Sequence, residues 1–166
     1  MIQSEVVSLC CAVLSVSGAR SAGRDGAGEL LAERAAAAGH RVVRRVYMND
    51  EASQVRQVLS DCIADPAIQV VLSSSGSGFV RRNTVPEAAA GLLEQEIRGF
   101  GDLLQHLAYI ETGSTIVQSR ALAGYANGTL VFCLPGVVGA CALAWDRIIR
   151  AQLAVPAAPP PFQRMR

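Results

Sequence analysis

The stretch Ile68-Gln69-Val70-Val71-Leu72-Ser73-Ser74-Ser75-Gly76-Ser77-Gly78, followed by Thr84-Val85-Pro86-Glu87, decides how this chain is read. The apolar run from Ile68 to Leu72 has the length of a short buried strand. It runs straight into serines and glycines, which build a loop rather than a core. Thr84 to Glu87 has the T-x-x-E pattern of a capping box, and it predicts a helix through Val85, Ala88, Ala89, Leu92 and Leu93. Strand, small-residue loop and helix in succession make a βα unit.

The same alternation extends both ways. Toward the N-terminus, Val6 to Val16 is too continuously apolar for a half-exposed strand and predicts a central strand covered on both faces. A loop from Gly18 to Gly26 leads to a helix over Ala27 to Ala38, stopped by Gly39-His40. Arg41 to Tyr47 is a second strand. Asn49-Asp50 opens a helix whose Val55, Val58, Leu59, Cys62 and Ile63 share one face, and Asp65-Pro66 ends it. Toward the C-terminus, Gly99-Phe100-Gly101 reads as a break before a helix over 102 to 110. Thr129 to Leu134 is another buried strand, closed by Pro135-Gly136. The last helix would turn Val138, Cys141, Ala142, Trp145, Ile148, Ile149 and Leu153 inward, before Pro156 and the Pro159-Pro160-Pro161 run force an extended tail. The expected fold class is α/β: a three-layer sandwich with a largely parallel central sheet and helices on both faces. Residues 1–154 form one domain and 155–166 a proline-rich tail.

With 166 residues, about half of them apolar, the chain can bury one substantial core. Fifteen Lys and Arg against fourteen Asp and Glu create no global field that would draw it to nucleic acid or an anionic membrane. Cys10, Cys11, Cys62, Cys133 and Cys141 lie among apolar residues without metal-ligand spacing and read as reduced, buried thiols. The Val6 to Val16 run has no preceding Lys or Arg and is too short to span a bilayer. A cytoplasmic protein is the expectation.

In a parallel sheet the ligand lies beyond the carboxyl ends of the strands, where the loops at Ser17, Met48, Ser73 and Pro135 should converge. The loop of Ser74, Ser75, Gly76, Ser77 and Gly78, with Arg81 and Arg82 nearby, offers successive N–H groups, hydroxyls and room for a phosphate. An ordinary βα turn would read the same way. Gly76-x-Gly78 is no dinucleotide fingerprint, because Arg81 stands at the third glycine position, and the chain holds no P-loop. Asp50 is the carboxylate best placed to hold Mg²⁺ against phosphates, although an Asp at such a junction is also the usual N-cap. Pro135-Gly136 could aim the N–H groups that follow at an anion, and Ser119-Arg120 could add a hydroxyl and a fork donor. Both patterns also occur in plain turns and on surfaces. His40 and His106 stand alone and read as capping or surface groups.

In this order, Val16-Ser17 and Arg20, Gly28 to Glu33, Ala38 to Val43, Asp50-Glu51, Arg82 to Glu87, Gly99 to Gly101, Gln118 to Ala121 and Gly128 to Gly136 resemble the MoaB/MogA family of molybdenum cofactor biosynthesis. The Pro160-Pro161-Phe162 ending leans toward the MoaB branch. The resemblance implies a molybdopterin adenylyltransferase-like protein that binds molybdopterin and Mg·ATP, assembled as a homo-oligomer, a trimer or hexamer. It puts Asp50 and Asn83 at two metal-linked catalytic positions. It puts Ser74 to Gly78, Arg82, Ser119, Pro135 and Gly136 at the ligand. The chain departs from the family pattern where Ser75 replaces a glycine, where Asn83 replaces the second acid, and where Gly18-Ala19 replaces Asp-Thr or Asp-Ser. Val137 likewise replaces a serine after Leu134-Pro135-Gly136. A neutral amide cannot supply a carboxylate's charge to Mg²⁺. The sequence therefore leaves two functions open: an adenylyltransferase, and a non-catalytic pterin- or nucleotide-binding paralogue of the same fold.

Overall fold

In the computed structural model, residues 7–17, 25–75, 84–114 and 120–154 are described. The expectations for Gly76 to Asn83, for Ser119, for Gly18 to Arg20 and for the tail 155–166 fall outside them.

Six strands form one sheet: β1 (Cys10–Ser17), β2 (Arg41–Asn49), β3 (Val70–Ser75), β4 (Gln95–Glu96), β5 (Leu122–Ala126) and β6 (Thr129–Pro135), in the order β2-β1-β3-β6-β5-β4. The first four in that order are parallel, and β5 and β4 are antiparallel. The continuous apolar reading of the central strands holds. β3 and β6 are buried at every residue and β1 at six of its eight, because helices cover both faces.

Alternation then splits the core in two. Cys11, Val13, Val70, Leu72, Leu130 and Phe132 face α1 (Gly26–Ala37), α4 (Arg98–Thr112) and α5 (Val138–Ala144). Ala12, Leu14, Val16, Val71, Val131 and Cys133 face α2 (Ala52–Ala64) and α3 (Val85–Ala90). On α2 the expected stripe is the buried one: Val55, Leu59 and Cys62 are buried, with Val58 and Ile63 packed beside them. Burying a Val or Leu side chain contributes about 2 kcal/mol.

Five expectations need correction. Ser73, Ser74 and Ser75, expected in the loop after a strand ending at Leu72, are the last three residues of β3 and are buried, because parallel pairing with β6 continues to Pro135. Gly99-Phe100-Gly101 is no break but the first turn of α4. Phe100 is a core residue set edge-on to Phe132 at 5.3 Å, and Gly101 lies so close to the backbone that a Cβ there would stand 2.8 Å from the Ala121 carbonyl oxygen. Gly101 thus lets the helix lie close against the chain just before β5, and tertiary packing overrides the poor helix propensity of the two glycines.

β5 was missed altogether. It is joined to β6 by Asn127-Gly128, whose φ values of 50° and 76° are those of a mirror-image hairpin turn.

The last helix is not uniform: α5 passes through a π-helical turn, Trp145–Ile149, into α6 (Arg150–Leu153). Trp145, Ile148, Ile149 and Leu153 are buried as expected, but Val138 in the first turn is 48% exposed rather than inward. It lies at the end of α5 nearest the sheet's carboxyl edge, where the helix has yet to pass over the core.

The capping box is not formed either. Thr84 makes no side-chain cap, and Glu87 pairs with Arg120 instead, so both members of the motif are used in tertiary contacts.

Candidate carboxylate site at the C-terminal end of the sheet

Parallel pairing aligns Ser15 of β1 with Ser74 of β3, and Ser75 of β3 with Pro135 of β6. The carboxyl ends of β1, β3 and β6 thus bring Ser73, Ser74, Ser75, Pro135 and Gly136 together, as the sequence implied. Gly136 donates its N–H to the Ser75 carbonyl, and Ser73 Oγ donates to the Phe132 carbonyl at 3.2 Å. All three serines are buried. Backbone pairing and the two covering helix layers tie this edge to the core.

Asp50 follows β2 directly, and the structure removes the simplest account of it. It does not cap α2: the N-cap is Glu51, which makes no side-chain bond, and the helix starts at Ala52. Instead Asp50 reaches across to the start of α3. Its Oδ1 accepts the Thr84 backbone N–H at 3.1 Å and the Thr84 hydroxyl. Its Oδ2 is buried with no hydrogen-bond partner among the described residues, and the residue is only 4% exposed. A bare carboxylate oxygen out of water is costly unless something positive meets it.

No three of His, Cys, Asp and Glu gather as metal ligands among the described residues. A self-sufficient cage of the zinc type is therefore not built there. A lone carboxylate suits a hard cation that completes its shell with water and phosphate oxygens, as Mg²⁺ does. The donor set at Asp50 fits Mg²⁺ on that ground.

A second carboxylate, Asp25, lies on the α1 side. Its Oδ1 accepts the Gly28 N–H at 2.9 Å as the N-cap of α1, its Oδ2 accepts the Ser15 hydroxyl, and Arg45 stands 4.0 Å away. Sequence reasoning left Asp25 in a loop. The signal was present, since an Asp just before an Ala/Leu/Glu-rich segment is an N-cap pattern.

An open cleft of about 560 Å³ adjoins this edge. Pro86, Arg98, Gln105, Arg120, Pro135 and Ala140 are on its wall, so it meets the expected ligand residues at Pro135, with Arg120, which pairs with Glu87, beside it, and it lies apart from Asp50. Its volume is in the range of small-molecule sites.

The buried thiols and the histidines add no reactive group here, although Cys141 Sγ donates to the Pro135 carbonyl at 3.2 Å. Burial pushes the Cys11 and Cys141 thiols up to about 12 and Cys133 to about 11, and it raises Cys62 as well, so these thiols stay protonated and inert. His40 is buried rather than on the surface. Its Nδ1 accepts the Leu9 N–H at 3.2 Å, its ring stands edge-on to Trp145, and burial lowers its pKa. His106 is exposed, and no helix among the described residues is long and apolar enough to cross a membrane.

Comparison with known proteins agrees with this architecture. A family profile described as "Probable molybdopterin binding domain" matches residues 12–155. Molybdenum cofactor biosynthesis protein B of Escherichia coli K12 is 38% identical over 152 residues, 92% of this chain and 89% of that protein. The protein of the same name from Bacillus subtilis is 36% identical over 146 residues, 87% and 85% of the two chains. Among solved structures, a molybdenum cofactor biosynthesis protein B superposes with a TM-score of 0.84 at 32% identity, covering 89% of this chain and 92% of the other. The tungsten cofactor synthesizing protein MoaB of Pyrococcus furiosus superposes with a TM-score of 0.78 at 27% identity, covering 88% and 92%. The chain belongs to the MoaB/MogA family of molybdenum cofactor biosynthesis proteins, and its relatives are consistent with the MoaB branch.

Proposed function

We propose that this chain serves molybdenum cofactor biosynthesis by binding molybdopterin and Mg·ATP at the carboxyl edge of its sheet, with Asp50 as the protein's ligand to the cation. One observation carries this reading: the Asp50 Oδ2 atom is buried and unpartnered among the described residues, beside the loops where the family's ligands are expected. Mg²⁺ at that oxygen would neutralise phosphate charge. The chain's own contributions are separate. Asp50 presents the oxygen, Thr84 holds the carboxylate still, and the paired ends of β3 and β6 place Ser74, Ser75, Pro135 and Gly136. The cleft beside Pro135 would hold the organic part of the ligand.

The chemistry implied is nucleotidyl transfer. A phosphate oxygen of molybdopterin attacks the α-phosphorus of ATP, a new P–O bond forms, and the bond to the β-phosphate oxygen breaks to release pyrophosphate. Positioning and charge neutralisation supply most of the catalysis in such a step. Asn83, where the family has its second acid, favours a second reading in which the chain binds these ligands without turnover.

An adenylation assay with molybdopterin and Mg·ATP decides between them. The expected result is very slow turnover by the unmodified chain with ligand binding retained, and a rate raised by Asn83→Asp, alone or combined with Ser75→Gly, and abolished again by Asp50→Ala. Brisk turnover by the unmodified chain establishes the enzyme outright. No binding of either ligand overturns both readings. Light scattering tests the proposed trimer or hexamer, which a monomer of about 17 kDa would contradict.

A further inference from the structure

Thr84 does something unusual for a residue that begins a helix: it turns both of its donors on one oxygen of a carboxylate 34 residues earlier in the chain. A carboxylate oxygen can accept about two hydrogen bonds, and at Asp50 the Thr84 N–H and O–H both fall on Oδ1. Oδ2 is left with none among the described residues. We propose that Thr84 is a positioning residue that saturates Oδ1, so that Asp50 offers a cation one oxygen rather than two and the site favours Mg²⁺ or Mn²⁺ over Ca²⁺. The inference rests on the reading of Asp50 as a metal ligand and adds the reason for its selectivity.

Ca²⁺ takes six to eight oxygens and readily chelates both oxygens of a carboxylate, whereas Mg²⁺ demands near-octahedral geometry and keeps several waters. Chelation at Asp50 would require Oδ1 to give up charge-assisted hydrogen bonds in a buried setting, and no other hydrogen bond to this oxygen is present among the described residues. The Thr84 N–H is fixed by the start of α3 and survives any side-chain change. The hydroxyl is the removable half of the lock. A tertiary brace between the β2 and α3 ends would show the same contacts, so the test must read more than stability.

The experiment titrates the full chain with Mn²⁺, followed by the loss of the free-ion paramagnetic resonance signal, and then displaces it with Ca²⁺. Thr84→Val and Thr84→Ala are each expected to lower the preference for Mn²⁺ over Ca²⁺ by about tenfold, the low end for removing a hydrogen-bond partner of a metal ligand. Thr84→Ser is expected to restore it, since the hydroxyl returns. Asp50→Asn is expected to remove the binding. If Asp50→Asn removes binding while the preference is unchanged in the folded Val or Ala variant, Thr84 is only a brace and this inference fails alone. If no Mn²⁺ binding depends on Asp50, the metal reading and the inference fall together.

Discussion

Asp25 and Asp50 stand at the same end of the sheet, one at the start of α1 and the other just past β2, and the fold treats them in opposite ways. Asp25 spreads its acceptors over separate partners: Gly28 N–H on Oδ1, the Ser15 hydroxyl on Oδ2, and Arg45 nearby. Asp50 is the more deeply buried of the two, yet both its donors come from Thr84 and converge on one oxygen. A carboxylate whose demands are met inside the protein stabilises it. One left half-satisfied is tolerated where a ligand completes it, which is the pattern of a functional site within an otherwise consistent fold.

The largest effect expected from this contrast is on the Asp25 side. A Cβ at Gly28 would fall onto both Asp25 and the Ser15 hydroxyl, so both side chains would have to shift and their mutual hydrogen bond would be disturbed. Gly28→Ala should therefore lose about 3 kcal/mol in chemical denaturation, the upper range for overpacking. Stability within a few tenths of the unmodified chain would mean that the cap is not the tight cluster described.

Removing the carboxylate itself should cost less. Asp25→Ala loses an N-cap and leaves the buried Ser15 hydroxyl without its acceptor, for about 2 kcal/mol in all. Mn²⁺ and nucleotide affinity should be unchanged in the folded variant. Ligand binding lost with stability intact would erase the distinction and move Asp25 into the site.

A smaller, pH-dependent effect belongs to the opposite end of the sheet. Burial lowers the His40 pKa, so the unfolded chain binds the proton more tightly than the folded one. The neutral His40 contribution is fully present above the ordinary imidazole value near 6.5 and is lost as the pH falls through the lower folded value. Melting temperature should drop across that acidic window, and His40→Gln, which keeps an acceptor for Leu9 N–H, should flatten the drop. An unchanged slope would assign the acid loss to other groups.

Much of this was legible in the sequence because local pattern and burial agree there. β1, β3 and β6 are apolar throughout since both faces are covered, and α2 keeps its stripe. The failures are places where long-range packing decides. Leu122 to Ala126 carries too few large residues to announce a strand, and only the Asn127-Gly128 turn marks it. Gly99 and Gly101 look like helix breakers until Ala121 is seen against Gly101. At the candidate site, the sequence marks Asp50 only by its place after a strand, and the structure adds its burial. Its partner was not legible: Thr84 sits 34 residues away, and its local pattern pointed to a cap.

The smallest expected change in stability is also the most informative. Asp50→Asn keeps a carbonyl oxygen to accept from Thr84, so the link between β2 and α3 can persist. It replaces a bare charged oxygen by a neutral amide, which loses the contribution of a charged acceptor but also removes the desolvation of a buried charge. These terms oppose each other, and the metal-free variant should lie within about 1 kcal/mol of the unmodified chain, unlike Asp25→Ala. Adding Mg²⁺ should separate the two proteins. A ligand that binds only the folded state raises stability as its concentration exceeds the dissociation constant. The unmodified chain should therefore gain melting temperature with rising Mg²⁺, and Asp50→Asn should not. A metal-free loss as large as that of Asp25→Ala, together with equal responses to Mg²⁺, would show that Asp50 is one more structural cap.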